Sequence, residues 1–280
     1  LNTGMFENKL TETSNTHQYM QTNVFATYED TYAEKHHLKA MAGFSWETKY
    51  LKDVRAIGYN LLSDTLNDLN LVGQGEDGER RMEVSGGQNE YAIAGFFGRI
   101  NYDYAGKYLV EVSGRYDGTS RFAGSHRWGF FPSVSAGWRI SEEKFFSPVK
   151  DWFNNLKVRY SFGQLGNQQV GYYDYVRTIG IGTQSYLFGG TKPAVATISA
   201  PVASDLSWEV AQHQNLGVDM AFLGNRLGVT GEFYIRDTKD MLTAGIALPS
   251  VYGASSPKMN SADLRTKGYE LTISWKDMFM

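Results

Sequence analysis

Between Ala92 and Ile140, apolar and polar positions alternate through three successive runs. From Ala92 to Tyr104 the even positions are Ala92, Ala94, Phe96, Gly98, Ile100, Tyr102 and Tyr104, while Arg99, Asn101 and Asp103 turn the odd face polar in its second half. From Tyr108 to Asp117, one face holds Tyr108, Val110, Val112, Gly114 and Tyr116, and the other holds Glu111, Ser113, Arg115 and Asp117. From Phe130 to Ile140, Pro132, Val134, Ala136, Trp138 and Ile140 oppose Ser133, Ser135, Gly137 and Arg139. Side chains in a strand alternate between faces, so three two-faced strands are predicted. A half-buried soluble sheet has the same period, and period alone does not choose. Aromatic residues near strand ends, small residues at mid-strand and ionic groups on the polar face suit a sheet with lipid outside and water inside.

The same reading places nine strands, at about 15–29, 36–48, 91–104, 107–117, 129–140, 156–164, 207–222, 227–239 and 267–276. The first is the weakest, because Gln, Thr and Asn fall on both of its faces. The connections are 30–35, 49–90, 105–106, 118–128, 141–155, 165–206, 223–226 and 240–266, so short and long alternate. Segment 141–155 (SEEKFFSPVKDWFNN) looks helical and is the longest of the short set. Outer-membrane barrels have short turns on one side and long loops on the other, whereas a soluble sandwich has no reason to sort its loops. The expected fold class is therefore all-β, an antiparallel transmembrane β-barrel segment of about nine strands. Barrels of single bacterial chains use even strand numbers, and an open edge in lipid leaves backbone groups unpaired. Nine strands, a start at Leu1 without a charged-then-apolar leader, and DMFM where a turn should begin lead to the expectation of a fragment, with residues 1–280 one partial barrel domain.

Composition narrows the alternatives. Aromatics make up 14% of the chain and glycine 30 of 280 residues, with a mean hydropathy of −0.39. No run of about 18 apolar residues exists, which excludes a transmembrane helix but not a membrane strand. A net charge of −3 gives no electrostatic reason for a nucleic-acid partner. The absence of cysteine removes disulfides, thiolate metal sites and cysteine nucleophiles. His17, His36, His37, His126 and His213 show no metal-site spacing, and neither a GxSxG nor a phosphate-binding glycine loop occurs, so no catalytic residue, metal or cofactor is assigned.

At 95–122, GFFGRINYDYAGKYLVEVSGRYDGTSRF, followed by RWGFFPSVSAGWRISEEKFF, resembles the SusC/RagA-like TonB-linked outer-membrane transporters of the Bacteroidetes. HHLKAMAGFSWE at 36–47, NLKVRYSFGQLGNQ at 155–168, HQNLGVDMAFLGNRL at 213–227, YIRDTKDML at 234–242 and RTKGYELTISW at 265–275 resemble the family in the same order. The resemblance implies a barrel of about 22 strands closed by a plug. It implies a SusD-like surface lipoprotein as lid, energy from the TonB complex, glycan or peptide cargo, and a place in the outer membrane among its lipid. Relative to that pattern the chain lacks the signal peptide, the plug, the TonB-contact segment and the remaining strands. The alternatives are a TonB-dependent receptor for siderophores or cobalamin-like ligands, and a non-transporting surface adhesin or lectin built as a β-sandwich.

Loop 165–206 carries Tyr172, Tyr173, Tyr175, Tyr186 and Phe188, whose ring faces can stack on sugars; packing against neighbouring loops or a lid is the favoured role. Arg99, Asp103, Glu111, Arg115, Arg139, Lys157, Arg159 and Glu232 fall on the predicted lumen side. They are placed to line a path or bind the plug, with structural ion pairing as the default, and none has nucleophile–base spacing. In DGTSRF, Asp117 and Arg121 are expected to fix the loop by local hydrogen bonds. Loop 49–90 gathers Asp53, Asp64, Asp68, Glu76, Asp77 and Glu79, for which a solvated acidic loop is favoured over a calcium site.

Overall fold

A computed structural model describes residues 8–63, 65–74, 78–184, 186–203, 205–245, 247–254 and 256–277. Its strands are β1 (Lys9–Tyr32), β2 (His36–Tyr59), β3 (Met82–Tyr104), β4 (Tyr108–Thr119), β5 (Trp128–Arg139), β6 (Phe153–Asn167), β7 (Ile179–Thr183), β8 (Ala194–Ile198), β9 (Glu209–Phe222), β10 (Leu227–Ala244) and β11 (Lys258–Trp275). Nine of them form one sheet in the order β1-β2-β3-β4-β5-β6-β9-β10-β11, while β7 and β8 pair separately. The nine are the nine expected, and every sheet pairing with a resolved register is antiparallel.

The first three strands are far longer than expected, and the 49–90 connection contracts to 60–81. Their distal stretches, such as Thr48–Arg55 and Met82–Glu90, place charged and polar residues on both faces. Backbone pairing continues there without alternation, and alternation was the only signal the sequence offered. Segment 141–155 is not an α-helix. It holds two 3-10 turns, Ile140–Glu142 and Lys144–Val149, with Pro148 inside the second, and β6 begins at Phe153. A proline at that position removes a helical donor and clashes with the preceding turn.

The chain divides into two compact units, Leu1–Gln21 with Glu47–Ala92, and Thr22–Trp46 with Ile93–Met280. In the first, Tyr91 donates to Glu47 Oε1 at 2.8 Å and Tyr50 to Gln88 Oε1 at 3.0 Å, and Val72 packs over Gly58. Asp68 caps the short turn Leu69–Leu71 by accepting from the Asn70 amide.

In the second unit the apolar face is the exposed one. Ile100 is 53% exposed, Leu271 67% and Tyr269 87%, which inverts the rule for a sheet folded in water. Aromatic rings gather at two levels on this face. Near the short turns, His36 lies 4.9 Å from Tyr104, and Tyr104, Tyr108 and Trp138 stack in sequence at 6.3 Å. Toward the long loops, Tyr116 stacks on Trp128 at 4.9 Å and Phe44 tilts against Phe96 at 5.2 Å. From Tyr108 to Tyr116 the strand rises about 26 Å, or about 20 Å in height at a tilt of about 40°. That matches the depth of a hydrocarbon layer bounded by aromatic girdles.

The register supports a tilt. On β9 the outward face turns polar after Leu216, at Gln214 and Gln212, yet the level of Gln214 corresponds to Phe162, Val134 and Val112 on β6, β5 and β4. The apolar limit therefore climbs obliquely across the register rows, as it must where strands lean relative to the band.

Glu143, in the turn after β5, fixes the short-turn girdle. It accepts from the Tyr108 hydroxyl at 2.6 Å, Lys107 Nζ at 3.1 Å and Trp138 Nε1 at 3.3 Å. The Tyr108 hydroxyl first, then Lys107, hold its carboxyl below the usual carboxylate range. The stability linked to its charge is thus complete above about pH 4.3, the ordinary glutamate value, and is lost as pH falls through the lowered value. Glu143→Gln is expected to lower the thermal unfolding midpoint at pH 7 and to leave it unchanged near about pH 2. An equal loss at both pH values would contradict the clamp.

Candidate functional site

The polar face of β6, β9 and β10 carries a charge network that joins three strands. Arg159, Gly217 and Glu232 share one register level; Lys157, Asp219 and Thr230 share the next. The Arg159 side chain crosses Gly217, where an added Cβ would sit 2.6 Å from its guanidinium carbon. It then donates through Nε to Asp219 at 3.1 Å and through a terminal nitrogen to Glu232. Asn215 Nδ2 donates to the other Glu232 oxygen at 2.8 Å, and the Thr230 hydroxyl to the other Asp219 oxygen at 3.2 Å. One cation thus faces two carboxylates, each hydrogen-bonded on its far side. The side chains are about a quarter to a third exposed, so the pair lies between the weak surface case and the costly buried one.

Most of the other expected lumen charges also find partners close to themselves. Arg115 makes a two-pronged contact with Asp117, at 3.0 and 2.9 Å, and reaches the Ser45 hydroxyl at 3.2 Å. Arg99 lies 3.9 Å from Glu111. Arg139 donates to the Gly106 carbonyl at 3.2 Å and lies 3.5 Å from Glu142, while Asp103 accepts the Gly106 amide at 2.6 Å. Lys157 passes close to Gly137 and stands level with Asp219. The structure therefore joins Arg159 to Glu232, sets Arg99 beside Glu111, Arg115 on Asp117 and Arg139 beside Glu142, and turns Asp103 to a backbone amide. Asp219, central to the network, was missed because HQNLGVDMAF shows no charge pattern until its register with Lys157 is known.

At the long-loop end, the polar side of β5 gives way to an apolar core of Phe122, Phe131, Val170, Ala203, Leu206 and Trp208. Trp208 meets Phe122 and Phe131 edge-on at 5.6 and 5.2 Å, and its Nε1 donates to the Arg127 carbonyl at 3.0 Å. Arg127 in turn donates to the Phe122 carbonyl at 2.9 Å. The core gathers the connections on both sides of β5 and β6 and holds the base of 168–208. For Asp117 and Arg121 the expected local hydrogen bonds are present, but the Arg121 side chain reaches farther. Asp117 pairs with Arg115, and Arg121 bonds the Val170 carbonyl at 2.8 Å and lies 4.9 Å over the Tyr172 ring. Arg121 therefore ties two loops together through its side chain, while its amide donates to the Thr119 hydroxyl at 3.2 Å within its own loop.

The five loop aromatics fall into two places. Tyr172, Tyr173 and Tyr175 form a turn at the loop base, with Tyr172 held by Arg121. Tyr186 and Phe188 stand exposed at the tip of the β7–β8 hairpin. Of the acidic set, Asp53 lies within β2 and Asp68 caps a turn, while Asp64, Glu76 and Asp77 lie outside the described residues. Among the described residues no group of three or more His, Cys, Asp or Glu side chains could hold a metal ion.

The family profile described as TonB dependent receptor-like, beta-barrel, matches residues 2–279. TonB-dependent receptor P39 of Formosa agariphila is 32% identical over 269 residues, covering 95% of this chain and 24% of that protein. TonB-dependent receptor SusC of Bacteroides thetaiotaomicron is 34% identical over 192 residues, covering 66% of this chain and 18% of that protein. Among solved structures, the RagAB peptide transporter superposes with a TM-score of 0.79 at 27% identity, covering 94% of this chain and 28% of that one. The chain thus spans about a quarter of the length of the curated relatives it matches.

Two experiments test the geometry. Trp208→Ala removes the ring that joins Phe122 to Phe131 and should cost about 3–5 kcal/mol locally. It is expected to open 168–208 to protease while the strands stay intact; a loop as resistant as wild type would show that the core does not hold it. For the network, a double-mutant cycle between Arg159→Gln and Glu232→Gln is expected to give a coupling of about 1 kcal/mol in denaturant unfolding. A coupling near zero would mean that the two charges meet without stabilising the wall.

Proposed function

Because this chain belongs to the TonB-dependent receptor-like β-barrel family, we propose that it forms one section of the wall of a SusC/RagA-like, TonB-energised importer of oligomeric nutrients. Its place is the outer membrane. The observation that carries the reading is the agreement of two independent features. The wall is apolar outside and ionic inside, and at 27% identity it superposes over 94% of its length on a peptide transporter. Among the described residues β1 and β11 each have one neighbour in the sheet, and hydrocarbon penalises an unpaired edge by several kcal/mol per group. Further strands of the same barrel would satisfy both edges.

The cargo in this reading is a glycan or peptide too large for passive pores, received beneath a SusD-like surface lipoprotein. The relatives named SusC and RagAB support that partner. Tyr186 and Phe188 are the loop aromatics best placed to meet cargo or lid, since their rings are exposed at a hairpin tip. Arg159 and Glu232 have a different task. Already paired inside the wall, they hold adjacent strands together, while the loosely spaced Arg99 and Glu111, 3.9 Å apart, and Lys157 offer charge toward a plug or passage.

The test uses the intact protein from its own outer membrane. A lipoprotein is expected to co-purify in equal amount, and uptake of an oligopeptide or oligosaccharide is expected to stop when TonB is deleted. A protein that purifies alone and passes small solutes without TonB would overturn the reading. Binding of an iron chelate without a lipoprotein would place it with the siderophore receptors instead.

A further inference from the structure

One register row on the lumen side runs through Ser133, Gly163, His213, Arg236 and Thr266 on β5, β6, β9, β10 and β11. It lies on the long-loop side of the Arg159 network, with the row of Asn215 and Tyr234 between them. Its height on β9 to β11 is that of the outer membrane boundary. On the outward face of these strands Gln212 and Gln214 flank His213, and Arg265 and Lys267 flank Thr266. A cavity of about 380 Å³ opens over the row, with Ser133, Gly163, Leu165, His213 and Arg236 in its lining.

The Tyr234 ring organises the cationic end of this row. It lies across the bare backbone of Gly268, where an added Cβ would overlap it. The Arg236 guanidinium carbon stands 5.7 Å over the ring, and His213 meets it edge-on at 6.0 Å. The ring is thus occupied by its own neighbours and is not a platform for a sugar. His213 and Arg236 are both exposed to the lumen, and Arg236 makes no ion pair among the described residues. The carboxylates of the neighbouring rows are committed elsewhere: Glu232 to Arg159 and Asn215, Asp237 to Arg265 on the opposite face, and Glu209 to Asn167 and the Leu242 amide. Glu270 stands level with Glu232, two rows toward the short turns. Leu165, two positions beyond Gly163 on the same face, is 67% exposed, an apolar side chain held open on a polar wall.

We propose that this row is a subsite for the terminal carboxylate of an oligopeptide cargo. Arg236 is its two-pronged donor, His213 and Thr266 stand on either side, and Leu165 receives the last side chain. A guanidinium keeps its charge at any working pH, and its planar fork matches a carboxylate. Two strand spacings, about 10 Å, separate the strand of Leu165 from that of Arg236, a gap that a chain-terminal residue bridges. A neutral glycan would leave the cation without a counter-charge, and an acidic one would bring no apolar group to Leu165. The row also lies at the outer mouth of the lumen, where cargo arrives, since Val210, three residues beyond His213, already packs against the loop core. The inference rests on the importer reading and deepens it by naming the chemical group that this part of the wall selects.

The intact protein, purified from its own outer membrane with any lipoprotein it carries, is titrated with an N-terminally labelled octapeptide of glycine and alanine ending in leucine. The peptide is used as free acid and as C-terminal amide, and fluorescence anisotropy gives both affinities. The wild type is expected to bind the acid about tenfold more tightly than the amide, the effect of one charge-assisted contact. Arg236→Gln is expected to bind both forms alike, at the affinity that the wild type has for the amide. Lys267→Gln removes a cation from the outward face of the adjacent row and should keep the tenfold preference. Should Arg236→Gln fail to give the heat-modifiable band of a folded barrel, Arg236→Lys is read instead, with the preference reduced because the fork is lost. Equal binding of acid and amide by the wild type would overturn the subsite and leave the importer reading standing. A uronic-acid oligosaccharide bound more tightly than the acid peptide would overturn it in favour of an acidic glycan. An Arg236→Gln protein that unfolds at lower temperature yet keeps the preference would make a plug carboxylate the partner instead. Binding of neither peptide also overturns the subsite, and lipoprotein co-purification and TonB-dependent uptake then show whether the importer reading falls with it.

Discussion

Hydrocarbon offers no partner to a backbone amide, and each unpaired group within it costs several kcal/mol. That single constraint commits every strand between the two aromatic levels to neighbours on both sides, and the rest of the chain follows. With the backbone satisfied by the sheet, the outward side chains are free to be apolar and exposed, as Ile100, Leu271 and Tyr269 are. A compact apolar core then has a place only where the wall leaves the membrane. The cluster of Phe122, Phe131 and Trp208 at the long-loop end occupies that place.

The same constraint explains why the inner face is ionic. Facing water, it has little to gain from burying apolar surface, so cohesion between strands beyond the backbone ladder comes from side-chain pairs. Arg159, bridging Asp219 and Glu232 across the bare backbone of Gly217, links three strands with one guanidinium. Arginine suits this role because its rigid fork of donors can serve two carboxylates at once. Glycine at 217 is the enabling residue, since a side chain there would occupy the guanidinium's position. Asn215 and Thr230 complete the arrangement by satisfying the outer carboxylate oxygens. At the membrane edge Glu143 does the corresponding work for the girdle, tying Tyr108 and Trp138 to the turn that follows β5.

What could be read in the sequence follows from the same physics. The nine strands were legible wherever lipid imposes alternation, and the family resemblance lay in those stretches. The distal halves of β1, β2 and β3 were not legible, because in water a strand can be polar on both faces and leave no period. Lumen-facing positions were legible as a set, since parity alone assigns them. Their partners were not: Asp219 becomes the mate of Arg159 only through the β6–β9 register, and Arg121 reaches Val170 across 49 residues. The acidic loop illustrates the converse error, since a count of carboxylates gathered Asp53 and Asp68 although one lies in a strand and the other caps a turn.

This stretch has no cysteine of its own, so single cysteines can be placed one at a time along β4 of an intact protein in outer-membrane vesicles whose cysteines elsewhere, where any occur, are replaced by serine. Accessibility at positions 110 to 113 tests the central claim directly. Cysteines at 111 and 113 should react with a water-soluble, membrane-impermeant thiol reagent once it enters the lumen. Those at 110 and 112 should resist it and instead carry a label that a lipid-soluble quencher reaches. Uniform reactivity at all four positions, or the opposite parity, would contradict a wall with lipid on its apolar face and water on its ionic one.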